Sequence, residues 1–326
     1  MNILITGGLG LVGTEIIKEF KKLHVHQLKD EYTLVVVDNM LYTNDFLDDS
    51  IIFKRGDVGD YKFITELLKK YNFDVIIHLA GIVGDAACGH RPNEAKRANL
   101  DSLKILRDNF DGRIIWPSSC SVYGANDNIV TEESPFNPLS LYAEMKIQGE
   151  QILKDRPNTV ILRLGTLHGV TGRFRSDLVV HILTVRALLE KQISVFGGDQ
   201  YRPLLHVNDL TQTIVYDLLN PTIFGRQNIT GTFNLVENNY KILDIAKIIQ
   251  TEIPNALIKI VEMSFEDKRN YKVSAKKAKN TWGFSPKGSI IQTVQDIKRI
   301  YTEGRVKDFS HIKYSNILAL KFKEKK

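Results

Sequence analysis

The sequence predicts an α/β fold: a doubly wound parallel sheet followed by a smaller C-terminal α/β lobe. Short apolar runs alternate with amphipathic segments through the first half, a glycine-rich turn follows the first run directly, and the alternation loosens after about Gly165. Continuous apolar strands separated by helices are typical of a parallel sheet covered on both faces. We therefore divide the chain into residues 1–165 and a mainly substrate-binding part, 166–326, some of which returns to the first part.

The elements follow from the hydrophobic pattern. Residues 11–22 have a helical repeat directly after the first apolar run, and Ser140 can cap a helix that contains Tyr142 and Lys146. The predicted strands of the first part are 3–5, 34–37, 51–53, 75–78, 113–116 and 160–162, and its other helices are 61–71 and 94–109. In the second part we predict helices over 177–190, 208–219, 243–253 and 288–301, and strands over 193–196 and 258–261.

The composition is that of an ordinary globular protein, with 43% apolar and 25% charged residues in 326. Two cysteines, Cys88 and Cys120, are too few for a disulfide framework, and a strand-like stretch follows Met1 directly, so we predict a cytoplasmic protein without a secretory leader. The 44 basic residues are interspersed with 38 acidic ones, which disfavours a nucleic-acid partner. We predict no metal site and no membrane span, and the basic run 321–326 is predicted to be a solvated tail.

Three glycines, spaced Gly-x-x-Gly-x-x-Gly, separate the first predicted strand from the first helix. Glycines permit a tight turn and let backbone N–H groups approach a pyrophosphate, whose charge the helix N-terminus also favours. With a strand before it and a helix after it, this pattern predicts a dinucleotide site of the Rossmann type. The predicted contacts in this turn are Gly7, Gly10, Leu11, Val12 and Gly13.

Acidic residues after the next two strands extend this site. Asp38, followed by Asn39, ends the second predicted strand. A carboxylate there can accept hydrogen bonds from the adenosine ribose and repels a 2′-phosphate, so we predict NAD rather than NADP. Asp57 and Val58 follow the third strand, where a side chain could meet the adenine amino group. A surface aspartate in a turn is the alternative for both positions.

Tyr142 and Lys146 are four residues apart on a predicted helix, so both side chains can point into one site. A free phenol has a pKa near ~10, and bringing it near 7 needs about 4 kcal/mol of preference for the phenolate. A lysine charge, helped by an oxidised nicotinamide, can supply that preference. Ser119 would then hold the substrate oxygen whose proton Tyr142 removes.

Several segments together resemble the extended short-chain dehydrogenase/reductase superfamily and, within it, the nucleotide-sugar epimerase/dehydratase family. These are residues 6–13, 57–58, 78–81, 118–124, 142–146, 162–165 and 202–209, in the family's order. The resemblance implies a cofactor, NAD, that also contacts Leu79, Ala80 and Gly81. It implies that Tyr142 takes a proton from a sugar hydroxyl, usually at C4, that Ser119 bonds the same oxygen, and that Lys146 holds the nicotinamide ribose.

The resemblance also implies how a nucleotide-diphospho-sugar is held. Arg202 matches the arginine that grips the diphosphate, Arg269 resembles a second one, and residues 173–175 and 178–180 lie where members contact the nucleotide base. Asn99 matches a family asparagine, with a helix-surface residue as the alternative. The predicted substrate contacts are Val83, Asp85, Ser119, Ser121, Tyr142, Thr166, Arg175, Leu178, Arg202 and Arg269. For Asp85, in a predicted loop, and for Ser121, turn capping is the alternative.

The reaction type is narrowed by Cys120 and Ser121, which stand where 4,6-dehydratases carry an Asp-Glu pair. Neither residue supplies paired carboxylate chemistry, which disfavours a dehydratase. We predict an NAD-dependent C4 epimerase, with a C4 dehydrogenase or 4-keto reductase as the alternative. A non-catalytic NAD-sensing regulator is disfavoured because the Tyr-Lys pair and the glycines are intact. The resemblance implies a homodimer formed through helices 94–109 and 140–154.

Overall fold

A seven-stranded, wholly parallel sheet forms the centre of the computed structural model, which describes residues 1–25, 32–42, 49–219, 228–261 and 269–323. The strands are β1 Asn2–Thr6, β2 Thr33–Asp38, β3 Ile52–Arg55, β4 Val75–His78, β5 Arg113–Ser119, β6 Ile129–Val130, β7 Thr159–Leu164, β8 Thr166–His168, β9 Gln192–Phe196, β10 Tyr201–His206, β11 Gly231–Leu235, β12 Asn238–Lys241, β13 Leu257–Val261 and β14 Lys272–Val273. The order in the main sheet is β11-β7-β5-β4-β1-β2-β3.

The helices cover this sheet and the smaller sheets that follow it. They are α1 Leu11–Val25, α2 Tyr61–Tyr71, α3 Asp85–His90, α4 Pro92–Lys96, α5 Ser102–Asn109, α6 Leu141–Leu153, α7 Val179–Glu190, α8 Val207–Gln212, α9 Ile242–Glu252, α10 Lys276–Trp282, α11 Ile290–Thr302 and α12 Asn316–Lys323. Among the described residues, no helix is both long and apolar enough to cross a bilayer.

Both faces of the main sheet are buried. In β1, Ile3 and Ile5 pack with Ile16 of α1 on one face, whereas Leu4 packs with Ile64 of α2 on the other. All of these side chains are at most 1% exposed. A strand that is buried on both sides needs a continuous apolar run, which is the pattern in the sequence. The predicted doubly wound, Rossmann-type fold is therefore confirmed.

The second half of the chain contributes smaller sheets and a separate apolar cluster. A three-stranded sheet, β12-β10-β8, and a two-stranded sheet, β13-β9, are accompanied by α7, α9 and α11. β11 leaves this region and pairs in parallel with β7 at the edge of the main sheet. No strand was predicted at this position.

Several predicted elements differ from the observed ones. The predicted helix 94–109 is interrupted by a π-helical turn, Arg97–Asp101, and the helix predicted over 208–219 passes into another, Thr213–Leu218. The segment predicted as a loop after β4 forms α3, whose Ala87 and Cys88 are buried. Cys88 and Cys120 are both free and buried.

The basic end of the chain is not simply a solvated tail. Residues 316–323 form α12, and Leu320 is fully buried against the cluster that contains Ile82 and Cys88. Residues 324–326 lie outside the described residues. Lys321 and Phe322 are exposed, as predicted for a solvated segment, although they belong to a helix that Leu320 docks.

Candidate active site

A large cavity of about 1370 Å³ opens where the main sheet meets the second half of the chain. In parallel α/β sheets, ligands bind beyond the carboxyl ends of the strands, and drug-sized ligands occupy roughly 300–1000 Å³. This cavity has room for more than one such ligand. Its lining includes every residue that the sequence predicted as catalytic, cofactor-binding or substrate-binding. The structure thus brings the whole predicted set together, whereas the role of each residue remains a prediction.

The glycine turn forms a close-packed cradle at one end of the cavity. Gly7 has φ +65°, and a Cβ there would lie 2.7 Å from the Cα of Ala80. A Cβ on Gly13 would lie 2.4 Å from the carbonyl oxygen of Gly8. Only glycine fits either position, and the turn leads directly into α1. The cradle suits the pyrophosphate of a dinucleotide, so the residues present fit NAD.

The acidic residues of the predicted cofactor site differ in their contacts. The Oδ2 atom of Asp38 accepts a hydrogen bond from the backbone N–H of Leu9 at 3.1 Å, and Oδ1 accepts one from Met40 at 2.8 Å. Burial raises the pKa of Asp38, which these bonds oppose. Asp57 instead accepts from the N–H of Gly59 at 2.8 Å and pairs with Arg97 at 3.2 Å. Asp57 therefore braces its own turn, as in the alternative interpretation, while still lining the cavity.

The predicted catalytic side chains come from α6 and the end of β5. The hydroxyl of Ser140 caps α6 by accepting from the N–H of Ala143 at 3.2 Å. The Nζ of Lys146 donates to the carbonyl oxygen of Pro117 at 2.6 Å and lies 5.7 Å from the centre of the Tyr142 ring. It also lies 4.5 Å from the centre of the Trp116 ring, a contact that the sequence did not predict.

Burial shifts the pKa values of this pair in opposite directions. Burial raises the pKa of the Tyr142 phenol, and the Cys88 thiol adds to the effect, whereas a hydrogen bond with Ser119 opposes it. Burial lowers the pKa of Lys146 to about 8. Desolvation disfavours both charged forms. In the protein by itself, Tyr142 is therefore held protonated, and a further positive charge is needed to make it a base.

A buried polar network holds α6 against the sheet. Arg163 on β7 pairs with Glu150 on α6 at 2.7 Å, and the hydroxyl of Ser118 donates to Glu150 at 2.6 Å. Arg163 also donates to the hydroxyl of Tyr123 at 2.7 Å. Ser118 is thus an anchor between β5 and α6.

Residues that were predicted to contact the sugar or the diphosphate are hydrogen-bonded within the protein. Asp85 is the first residue of α3, and its carboxylate accepts from the Ser140 hydroxyl at 2.6 Å and from Arg269 at 3.2 Å. Asn99 is buried in the π-helical turn, where its amide exchanges two hydrogen bonds of 2.9 Å with the backbone of Ile82. Asn99 therefore shapes the chain beside the cavity, and the helix-surface alternative was wrong for it.

Arginines line the part of the cavity that the second half of the chain contributes. Arg202 donates to the carbonyl oxygen of Tyr201 at 2.9 Å and to the carbonyl oxygen of Arg269. The two arginines that were predicted to bind the diphosphate are therefore neighbours. Arg175 pairs with Asp177 at 2.9 Å. Thr166 begins β8, and Leu178 precedes α7. Val83 and Ser121 also line the cavity, and the buried hydroxyl of Ser121 has no hydrogen-bond partner within the described residues.

Comparison with known proteins agrees with this geometry. Residues 3–224 match the sequence model of the NAD dependent epimerase/dehydratase family. The chain belongs to this family. NAD is its cofactor, and the resemblance inferred from the sequence is confirmed. As expected for a member, the glycine cradle, Tyr142 and Lys146 all lie within the matched residues.

Relatives of this family member include two bacterial proteins. An uncharacterized UDP-glucose epimerase of Bacillus subtilis, YtcB, is 28% identical over 71% of this chain and 77% of its own. A UDP-glucose 4-epimerase of Azospirillum brasilense is 25% identical over 67% of this chain and 68% of its own. Among solved structures, a UDP-glucuronic acid 4-epimerase from Bacillus cereus, in complex with UDP-glucuronic acid and NAD, is 25% identical with a TM-score of 0.76, covering 92% of this chain and all of that one.

Proposed function

We propose that the chain is an NAD-dependent 4-epimerase of nucleotide-diphospho-sugars, and that its nucleotide is UDP. The observation that carries the proposal is that Ser119, Tyr142 and Lys146 line one cavity together with the glycine cradle and with Arg202 and Arg269. The similar proteins named as acting on UDP-glucose or UDP-glucuronate support it.

In the proposed reaction, Tyr142 removes the proton of the sugar C4 hydroxyl. Bound NAD supplies the acceptor, and later the donor, of the hydride from C4. Ser119 holds the same oxygen and orients it toward Tyr142. Lys146 places a positive charge beside the phenol, which counteracts the effect of burial on its pKa. Arg202 and Arg269 bind the diphosphate while the keto sugar rotates and presents its other face to the cofactor.

The dehydratase chemistry remains disfavoured by the surroundings of Cys120. Its thiol is buried, donates to the carbonyl oxygen of Arg163 at 3.2 Å, and is not part of the cavity lining. Burial also raises its pKa. Elimination of water across C5 and C6 needs an acid and a base beside the sugar, and this position offers neither.

The proposal includes the assembly and the location. We place the protein in the cytoplasm, which suits its two free, buried thiols. We propose a homodimer formed through the predicted helix pair, here the segment from α4 to α5 together with α6. Their outward side chains include Lys104, Asp108, Glu144, Gln148 and Gln151, so the interface would be polar.

Proton NMR of the purified protein with NAD and a panel of UDP-, GDP- and dTDP-sugars tests the function. We expect a UDP-sugar to give its C4 diastereomer without accumulation of NADH. Formation of a keto sugar in proportion to NADH would identify the dehydrogenase instead. Turnover of only a GDP- or dTDP-sugar would overturn the choice of nucleotide.

A further inference from the structure

One cavity-lining cation, Arg173, has no role in the reaction described above. It is 6% exposed, and its guanidinium lies 4.5 Å from the centre of the Tyr42 ring. Nη2 donates to the side-chain oxygen of Asn316 at 2.7 Å. Its Nε–H is buried and has no hydrogen-bond partner within the part of the chain that the structure describes. A buried donor without an acceptor is costly, so a ligand oxygen is the natural partner at this position.

The surroundings of Arg173 place it at the cofactor end of the cavity. It interacts electrostatically with Asp38, whose carboxylate accepts from Leu9 in the glycine turn. The N–H of Gly172, the residue before it, donates to Glu15 on α1 at 3.1 Å. α1 is the helix whose N-terminus follows the glycine cradle. The resemblance had instead placed residues 173–175 at the nucleotide base of the substrate.

The C-terminal segment holds Arg173 in this position. The backbone N–H of Asn316 donates to Asp177 at 3.1 Å, and the N–H of Ser176 donates to the carbonyl oxygen of Tyr314 at 2.8 Å. The segment is itself docked by Leu320, whose side chain is fully buried and whose carbonyl oxygen accepts from Arg91 at 2.8 Å. Residues 173–177 are therefore tied to α12 by both side-chain and backbone bonds.

We propose that Arg173 binds the adenosine-diphosphate half of NAD, donating to a phosphate or ribose oxygen, and that Asn316 is its positioning residue. The C-terminal helix then forms part of the cofactor site, although it lies beyond residues 3–224, which match the family. This inference rests on NAD as the cofactor and not on the proposed C4 reaction. Failure of the epimerase assay would leave it standing.

The first experiment measures binding by calorimetry with Arg173→Gln, using NAD⁺, ADP-ribose and UDP as separate probes. Loss of a charge-assisted hydrogen bond should weaken NAD⁺ and ADP-ribose alike, by about 10- to 100-fold. UDP should bind within about twofold of the wild type. The control is Arg299→Gln, which removes an equal charge from the exposed face of α11 and should change none of the three affinities.

Two results would overturn the assignment of Arg173. Unchanged affinity for NAD⁺ and ADP-ribose would remove it from the cofactor site. A selective loss of UDP affinity would place it at the substrate base, as the resemblance implied. Thermal unfolding of the same samples shows whether the variant is folded.

The second experiment tests Asn316 with Asn316→Ala, Asn316→Asp and, as a control on the exposed side of α12, Leu318→Ala. Asn316→Ala removes the oxygen that holds Arg173 and should weaken the binding of NAD⁺ by about 3- to 10-fold, with the affinity for UDP unchanged. Asn316→Asp keeps an acceptor and should restore binding. Equal losses in the Ala and Asp variants, or a loss with Leu318→Ala, would reduce the role of α12 to general stability.

Discussion

At the residue scale, the site contains a conflict between burial and reactivity. The proposed reaction requires Tyr142 to lose its proton and Lys146 to keep one, yet burial disfavours both charged forms. The charged form of Lys146 is stabilised by the carbonyl oxygen of Pro117 and by the face of the Trp116 ring. The positive charge of an oxidised nicotinamide would add to that of Lys146. In the proposed reaction, Tyr142 therefore becomes a base only when the cofactor is bound.

Tyr142→Phe removes the proposed base and keeps the ring. We expect kcat to fall by at least about 100-fold, because general base catalysis contributes 10²- to 10⁴-fold. NAD⁺ affinity should stay within about twofold, since the ring packing is preserved. Rate measurements and calorimetry on one sample check both. Turnover near the wild-type rate would remove Tyr142 from the chemistry.

Lys146→Met should abolish activity and increase the stability of the fold. The pKa of Lys146 is lowered from 10.5 to about 8 in the folded protein, so folding penalises its charged form. The penalty is absent above the unfolded value of 10.5, grows as the pH falls toward 8, and is complete below 8. At pH 7 the variant should therefore be more stable than the wild type by about 1–3 kcal/mol and inactive.

Urea unfolding at two pH values checks the sign of this change in the free energy of unfolding. The gain in free energy of unfolding should be present at pH 7 and should shrink as the pH approaches 10.5. A variant less stable than the wild type at pH 7 would contradict the account, because the contacts with Pro117 and Trp116 would then outweigh the cost of burying the charge.

The residues that sequence could predict are those whose chemistry depends on local spacing. Tyr142 and Lys146 share a helix face, and Gly7 to Gly13 span the turn between β1 and α1 and the start of α1. The contact between Arg173 and Asn316 joins positions 143 residues apart, and no local pattern signals it. Asp57 lines the cavity, but its bond to Arg97 depends on where another helix ends, which the sequence did not predict.

At the element scale, α6 contains the proposed catalytic pair, Tyr142 and Lys146, and is held in place by the strands beneath it. Gly149 allows close approach, since a Cβ there would lie 2.5 Å from the Trp116 ring. The pair Arg163–Glu150 joins the helix to β7, with both side chains at most 7% exposed. The position of Lys146 is therefore set by a neighbouring turn of its own helix.

Arg163→Met leaves the Glu150 carboxylate buried without its partner. We expect the free energy of unfolding to fall by about 3–5 kcal/mol, as when one partner of a buried pair is removed. The control, Lys154→Met, alters an exposed residue that follows the same helix and should change stability by less than about 0.5 kcal/mol. Chemical denaturation measures both, and equal stabilities would show that the pair is not holding α6.

Elements with regular patterns were predictable, and irregular ones were not. The apolar runs located the strands of the main sheet except β11, which begins with Gly231 and Thr232 and so has no continuous apolar run. The π-helical turns are invisible to a periodicity of 3.6, so helix 94–109 was predicted as continuous. α3 was missed because six residues are too few to establish a helical repeat.

At the scale of the whole molecule, both parts of the chain line one cavity. The C-terminal helix, α12, is hydrogen-bonded to Arg173 and Asp177, which line this cavity. The fold class and the cavity edge could be predicted from alternation alone. The docking of α12 could not be predicted in this way, because it depends on the burial of Leu320 against residues of the first part.

The proposed homodimer can be tested by its mass and by substitutions in the proposed interface. Light scattering should give twice the chain mass of 37.1 kDa. Gln148→Arg places like charges near the proposed twofold axis and should shift the protein toward monomer, whereas Gln292→Arg, on the exposed face of α11, should not. A wild-type monomer, or equal effects of the two variants, would contradict the interface.

The most direct test of the central claim follows the hydrogen at C4. A UDP-sugar deuterated at C4 is incubated with the protein and NAD⁺, and the product is analysed by NMR and mass spectrometry. An epimerase that returns the hydride should give the C4 diastereomer with deuterium still at C4 and no net reduced cofactor. Loss of deuterium to solvent, or its accumulation on released cofactor, would contradict the proposed reaction.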